Sequence, residues 1–297
     1  MTRITQQQML TSLQTNMGSS LGRLQRTQEK VSSGKEISRP SDDPSGVASA
    51  LQFRGSIQRA DQLARNADDG LSWLSVADGA LTGMQSVLSR ARELALRGGS
   101  AALNASDREA LAKEVDGLRE NALSIANTSR LGRPIFSGNA VPTPPAADVA
   151  YSSTFAYQGD AGTVTRMVAE GVSVQVNVTG PEVFGPPGAD VFSALTQLAV
   201  NLRTNPSALP ASLTAIDAAS TRVLTGLAQV GSRVNQIESA RDRTDSIKAG
   251  QEDALAEIES VDLAKALTDL KLQETAYQAA LGVSARSLQL SLLDFLR

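Results

Sequence analysis

Two adjacent carboxylates, Asp42 and Asp43, lie on a turn between Pro40 and Pro44 and are the most chemically suggestive pair in the chain. Such a pair could ligate a hard cation or divide acid and base roles. Beside prolines, adjacent carboxylates more often serve as caps and turn groups, and Asp43 before Pro44 reads as an N-cap followed by proline at the first helical position. Little else in the chain offers chemistry. The 297 residues contain no histidine and no cysteine, so imidazole and thiolate metal ligands, cysteine nucleophiles, histidine bases and disulfides are all excluded. The remaining Asp and Glu residues are spread along helix faces and read as solvated or paired at i,i+4. Trp73 stands beside Leu71 and Leu74 and reads as packing, as do Tyr157 and Phe184. No catalytic group, cofactor site or metal site is expected.

Composition narrows the class further. Aromatics make up 3% and hydrophobics 41% of the chain, the latter mainly Ala, Leu and Val, a profile of helix-on-helix packing. The net charge is −3 and the charges are interspersed, with no basic cluster interleaved with aromatics, which argues against nucleic acid as a partner. No apolar run reaches the ~18 residues that would span a bilayer. The start, Met1-Thr2-Arg3-Ile4-Thr5, lacks the apolar stretch of a secretory signal, so the expectation is a cytoplasmic protein or one exported without signal cleavage.

The elements carry the clearest pattern. Leu10, Met17, Leu24 and Val31 recur every seven residues, with Leu13 three after the first. Near the other end Leu263, Leu267, Leu270, Tyr277, Leu281, Leu288 and Phe295 follow steps of four and three, interrupted at Glu274, Ser284 and Ser291. Each stripe is a narrow helix face suited to one or two partner helices. The first helix is expected over about Thr5 to Ser32, roughly 40 Å long, closed by Gly34 in the left-handed conformation. A second runs from Pro44 to about Arg97 with Leu74, Leu81, Leu88 and Ala95 in register. A third follows a capping box at Ser106-Asp107-Arg108-Glu109 and carries Leu111, Val115, Leu118, Ala122 and Ile125.

From 133 to 190 the period changes. Val172, Val174, Val176 and Val178 alternate with Ser173, Gln175, Asn177 and Thr179, the signature of a half-buried strand. Thr163 to Ala169 precedes it across a Glu170-Gly171 turn, and a third strand is expected around Thr154 to Gln158. Helices resume with Phe192, Leu195, Leu198 and Leu202, then a long one through Ile216, Ser220, Val223, Leu227, Val230, Val234 and Ile237. The step from Ile258 to Leu263 fits neither three nor four, so Ser260-Val261-Asp262 reads as a break with Ser260 a candidate cap. The expected fold is mainly α with a small antiparallel β insert, an elongated helical bundle or coiled-coil rod with both termini at one end. Its parts would be an N-terminal arm (1–34), an outgoing rod half (35–132), the insert (133–190), a returning rod half (191–259) and a C-terminal arm (260–297).

Several short motifs resemble the bacterial flagellin family, and within it the members that join hook to filament. They are Val31-Ser32-Ser33-Gly34-Lys35-Glu36-Ile37, Arg39-Pro40-Ser41-Asp42-Asp43-Pro44, and Gly132-Arg133-Pro134-Ile135-Phe136-Ser137-Gly138, in which Pro134 replaces the family's aromatic. Tyr157-Gln158-Gly159-Asp160, Gly180-Pro181-Glu182-Val183-Phe184-Gly185, Ser260-Val261-Asp262-Leu263-Ala264 and Ser291-Leu292-Leu293-Asp294-Phe295-Leu296 extend the resemblance along the chain. Ser41, Asp42, Asp43, Pro44, Gly132, Arg133, Phe136 and Gly138 are the positions that carry the motif most directly.

The resemblance implies a structural, non-enzymatic protein. It would be exported unfolded by the flagellar type III apparatus, handled beforehand by an export chaperone, and assembled as a ring of its own copies. Hook-associated protein 1 would lie on the hook side and flagellin on the filament side. The assembly interface would then be the terminal stripes: Leu10, Leu13, Met17, Leu24 and Val31 with Leu263, Leu267, Leu270, Tyr277, Leu281, Leu288 and Phe295. Two alternatives are a filament-forming flagellin with a small outer domain and an unrelated coiled-coil adaptor.

Overall fold

The computed structural model describes residues 2–100, 103–140 and 149–295, with side chains described at residue 8 and from 11 to 285 within those spans. The fold is mainly helical with two small antiparallel sheets. In order it contains α1 (Thr2–Ser33), α2 (Pro44–Gly98), α3 (Ala105–Ala126), β1 (Ser129–Arg130), β2 (Arg133–Pro134), β3 (Thr165–Ala169), β4 (Val172–Gln175), α4 (Gly180–Phe184), α5 (Val191–Thr204), α6 (Leu209–Glu259) and α7 (Leu263–Phe295). Two compact units result. One comprises Met1–Arg59 with Ile247–Arg297, the other Ala60–Ser246.

The second unit holds the core. Leu74, Leu81, Met84, Leu88 and Leu94 of α2 are fully buried, and they meet Ile216, Val223, Val230 and Ile237 of α6 in one cluster. The heptad spacing read from the sequence is therefore the spacing of the seam. Within it Gln85 and Ser220 exchange hydrogen bonds at 2.7 and 3.1 Å, and Arg92 pairs with Asp217 at 2.8 Å. These polar contacts are side-specific, so they fix which turn of α2 meets which turn of α6, something apolar packing alone does not do. Helix α3 packs on α5, and Arg203 of α5 reaches Glu109 and Asp116 of α3 at 2.9 and 2.6 Å.

Three local expectations are corrected. The cap of α3 is Asn104, which accepts from the Asp107 backbone N–H at 2.8 Å, while Asp107 accepts from the Asn104 N–H. Ser106 lies inside the helix and Glu109 is engaged by Arg203, so the capping box begins two residues earlier than the motif suggested. Ser260 does not cap the terminal helix. Asp262 does, accepting from the Ala264 and Lys265 N–H groups at 3.0 and 3.1 Å. Finally, residues 154–158 form no strand. They close a turn in which Ser152 N–H donates to the Ala156 carbonyl and Tyr151 makes a single bridge to Tyr157.

The sheet structure is two hairpins, β1–β2 and β3–β4, the first starting ahead of residue 133. The expected insert also holds the short helix α4. The second hairpin was expected from the valine alternation but is shorter than that pattern suggested, with β3 starting at Thr165 and β4 ending at Gln175. Val176 and Val178 are therefore buried beyond the strand, while within it Val174 is buried and Val172 half-buried. Asn177, expected on the wet face, is fully buried. Its side-chain amide ties the segment together, accepting from Val164 N–H at 2.8 Å and donating to the Gly162 carbonyl at 2.9 Å. Its own carbonyl accepts from Arg233 of α6 at 2.7 Å, fastening the insert to the helical core. A buried amide with every group used is stabilising, whereas one left unpaired is costly.

A second fastening surrounds Asp160. Its carboxylate accepts from the Asn139 N–H at 2.6 Å and the Gly162 N–H at 2.9 Å. The Tyr157 hydroxyl lies 2.8 Å from the Asp160 carbonyl and 3.0 Å from the Phe136 carbonyl. Phe136 packs edge-on against Phe184 with ring centroids 4.8 Å apart, so the aromatic motif residues are the core of the insert. Gly138 sits against this cage at φ 73°. A Cβ there would overlap both the carboxylate and the carbonyl of Asp160.

Two outcomes are expected. Gly138→Ala combines a left-handed backbone with an overlap and should lower stability by about 2–4 kcal/mol in urea unfolding. The backbone N–H groups of Gly162 and Asn139 hold the Asp160 carboxyl below its ordinary value of 3.8. A depressed pKa contributes stability that is present above that ordinary value and is lost as pH falls through the folded-state value. Asp160→Asn should accordingly flatten the acid limb of a melting-temperature-against-pH profile, and an unchanged acid limb would contradict the assignment.

Candidate functional site

The unit formed by Met1–Arg59 and Ile247–Arg297 contains the two terminal stripes. Helices α1 and α7 pack against each other, and because α1 ends where α7 begins they run antiparallel. On α1, Leu13, Met17, Ser20, Leu24, Thr27 and Val31 are half-buried in a run of four-three steps, with Gly22 and Lys30 half-buried besides. On α7 the corresponding face is Ala266, Leu270, Gln273, Tyr277, Ala280 and Ser284, with Ala266 fully buried and the rest half-buried. The structure thus brings Leu13, Met17, Leu24, Val31, Leu270 and Tyr277 onto facing stripes. Leu263, Leu267 and Leu281 lie instead on the exposed flank of α7. The side chains of Leu10, Leu288 and Phe295 lie outside the described residues.

Helix α7 also carries a second stripe that the sequence reading missed. Leu272, Ala276, Ala279 and Val283 follow four-three-four steps on one flank outside the seam, beside the exposed Thr268, Lys271 and Thr275, and all four are exposed. Leu272 is 64% and Val283 59% accessible. Their signal was present but masked: two interleaved stripes on one helix read as general Leu/Ala richness rather than as two faces. The outer face of α1 is different. Gln14, Gly18, Gln25 and Gln28 occupy it, and Leu21 is the only exposed large apolar side chain among its described residues. The described exterior of α1 is largely polar, whereas that of α7 mixes polar residues with an exposed apolar stripe.

The bases of both arms meet in a short clasp. Gly34 has φ 69° and ends α1 as expected. Beyond it the Glu36 N–H donates to the Glu259 carbonyl at 2.8 Å, and the Val261 N–H donates to the Gly34 carbonyl at 3.1 Å. Lys35 and Ser260 therefore form an antiparallel bridge. Arg54 holds both carboxylate oxygens of Glu259 at 2.7 and 2.8 Å, and Lys30 pairs with Glu36. The two breaks that looked independent in the sequence are bonded to each other.

The carboxylate pair is used within this connector. Asp42 exchanges backbone and side-chain hydrogen bonds with Arg39 at 3.0 Å each. Asp43 accepts from the Ser45 N–H and hydroxyl at 3.0 and 2.7 Å. Hydrogen bonds from Gly46 and Ser45 hold its carboxyl below the ordinary range, as suits a cap that stays ionised. Ser41 and Pro44 are exposed, as is Gly132, whereas Phe136 is buried and Arg133 is half-buried over the Trp73 ring at 5.7 Å. The motif residues thus act as turns, caps and insert core.

Residues 4–140 match the bacterial flagellin N-terminal helical region and residues 213–296 the bacterial flagellin C-terminal helical region. A flagellin of Halalkalibacterium halodurans is 27% identical over 92% of this chain and 91% of its own. The flagellar hook-associated protein 3 of Escherichia coli is 24% identical over 85% of this chain and 86% of its own. Among solved structures, the flagellar hook-associated protein 3 of Legionella pneumophila superposes with TM-score 0.61 at 19% identity, covering 70% of this chain and 99% of its own. That last likeness is one of fold.

The facing stripes make a specific prediction. Leu270→Asp places a carboxylate in the α1/α7 seam and should destabilise the pair by about 2–4 kcal/mol. Hydrogen exchange should accelerate in both α1 and α7 while α5 stays protected. Acceleration confined to α7 would show that α1 does not depend on the seam.

Proposed function

Because the chain belongs to the bacterial flagellin family, we propose that it is a structural protein of the bacterial flagellum that joins the hook to the flagellin filament through coiled-coil association of its terminal helices. The observation that carries this reading is the outward stripe of α7. The α1/α7 pair leaves this apolar stripe exposed. A ring of copies would bury it, with α7 turned toward neighbours and α1 toward solvent. Full burial of a leucine contributes roughly 1.5–3 kcal/mol relative to exposure, so even a few outward positions per copy suffice to bias assembly.

In this reading the arms 1–34 and 260–297 are the assembly modules. The halves 35–132 and 191–259 are the rod, and 133–190 is the small insert. Leu263, Leu267 and Leu281 act at the subunit interface together with Leu272 and Val283. Leu13, Met17, Leu24, Val31, Leu270 and Tyr277 act first within the monomer. Hook-associated protein 1 lies on the hook side, flagellin on the filament side, and an export chaperone holds the chain before export without signal cleavage. The family is one of structural proteins, and no reaction is assigned.

The junction reading draws support from relatives named flagellar hook-associated protein 3, which match along most of both chains. A second reading, a filament-forming flagellin, is favoured by the slightly higher identity to the Halalkalibacterium halodurans flagellin. Seeding purified protein onto flagellar fragments separates the two. A junction protein adds a limited cap, whereas a flagellin elongates without limit.

The residue-level test uses Leu281→Asp. This exposed substitution should leave the melting temperature within a degree or two, because exposed positions change stability little. It should nevertheless abolish motility in a strain lacking its own junction protein, with flagellin lost to the medium. Restored swimming would remove the Leu263/Leu267/Leu281 flank of α7 from the interface.

A further inference from the structure

Beside the clasp, the connector between α1 and α2 and the first turns of α2 form a recess of about 320 Å³. Ile37, Val47, Ala50 and Leu51 give it apolar walls, and Leu51 is 61% exposed. Three cations line it as well. Arg39 pairs with Glu29 at 3.2 Å and Arg54 with Glu259 at 2.7 Å. Lys35 is exposed, and its ammonium enters no ion pair among the described residues. The recess therefore combines apolar walls with one positive charge still to be matched. It fits an apolar side chain that brings a carboxylate with it.

One surface of the chain has that form. Of the exposed large apolar side chains on the described helices, only Leu96 and Leu272 have a carboxylate three or four positions away in their own helix. Glu93, beside Leu96, is taken by Arg90 at 2.7 Å. Asp269, beside Leu272, is exposed and enters no ion pair, although it shares a groove with Arg26 and Lys265. Asp269, Leu272, Ala276, Ala279 and Val283 continue one three-four series, so the carboxylate heads the exposed stripe of α7.

We propose that Leu272 of one copy enters the Ile37/Val47/Leu51 recess of a second copy, with Asp269 of the first paired to Lys35 of the other. This rests on the assembly reading above and names the surface that the α7 stripe meets. Val47, Ala50 and Leu51 belong to α2, so the contact sets helix against helix, and Ala276 and Ala279 allow the close approach this needs. Knob and recess are different patches of one chain. The contact is accordingly head-to-tail, the type that closes rings or builds helical arrays.

The chain has no cysteine, so introduced thiols report this contact alone. Leu51→Cys and Leu272→Cys are placed in separate, differently tagged copies and co-expressed in a strain lacking its own junction protein. Oxidation of isolated flagella should join both tags in one covalent dimer. Dimers formed by one variant alone, or swimming cells whose flagella give no mixed dimer, overturn the proposal and leave the assembly reading standing. Absence of the wild-type chain from flagella overturns both. A charge exchange decides the case if the thiol variants fail to assemble. Lys35→Asp and Asp269→Lys are exposed changes that should leave the melting temperature of the purified chain unaltered. Each should lower the number of filament-bearing cells on the order of tenfold, because like charges then meet. The double exchange should return that number to within about twofold of wild type. A double exchange no better than the single ones overturns the pairing.

Discussion

Two helices packed side by side can cover only one stripe of each, and the rest of this structure's behaviour turns on that geometrical limit. The α1/α7 pair uses its limit on Leu13, Met17, Leu24 and Val31 against Leu270 and Tyr277. What is left over is unequal. Glutamines and Gly18 lie on the exterior of α1, whereas Leu272, Ala276, Ala279 and Val283 form an apolar stripe on one exposed flank of α7. The small alanines in that outer stripe also permit a close helix approach, which a row of leucines would hinder. The unsatisfied face is therefore both apolar and shaped for another helix.

The clasp at the base sets how this face is presented. Reciprocal backbone hydrogen bonds between the Gly34–Glu36 and Glu259–Val261 segments tie the two breaks at one level, and Arg54 fixes Glu259 from α2. Neither arm can slide along the other by a turn without breaking these bonds. The register of the seam, and with it the outward direction of Leu272 and Val283, is thus set by groups that lie outside both stripes. The insert follows the same logic on its own unit, where the Asp160 cage and the Asn177 amide hold an aromatic core too small to be stable alone.

Much of this was legible in the residue pattern. The long helices, the Gly34 and Asp43 boundaries, the break before Leu263 and the β3–β4 hairpin follow from period and punctuation, which are local signals. The five-residue α4 and the start of α6 at Leu209 did not. The misses were of two kinds. Where several capping residues stand close together, as at Asn104 and Ser106 or Ser260 and Asp262, tertiary partners choose among them: Arg203 engages Glu109, and the bridge to Lys35 engages Ser260. Direction around a helix was the other. Heptad spacing placed Leu263, Leu267 and Leu281 on one stripe with Leu270, but only the position of α1 decides which side of that stripe is inward. The two-residue β1–β2 hairpin left no periodic trace, and Asn177 looked solvent-facing because alternation says nothing of hydrogen-bond demand.

The account's central claim is that the outer stripe of α7 is exposed in the monomer and covered in the assembled state. Hydrogen–deuterium exchange across Leu272–Val283, compared between the purified chain and the same chain in isolated flagella, measures this directly. The account predicts protection of that segment rising by at least about a hundredfold on assembly, with a smaller rise over the outer face of α1. Equal exchange in the two states would contradict it.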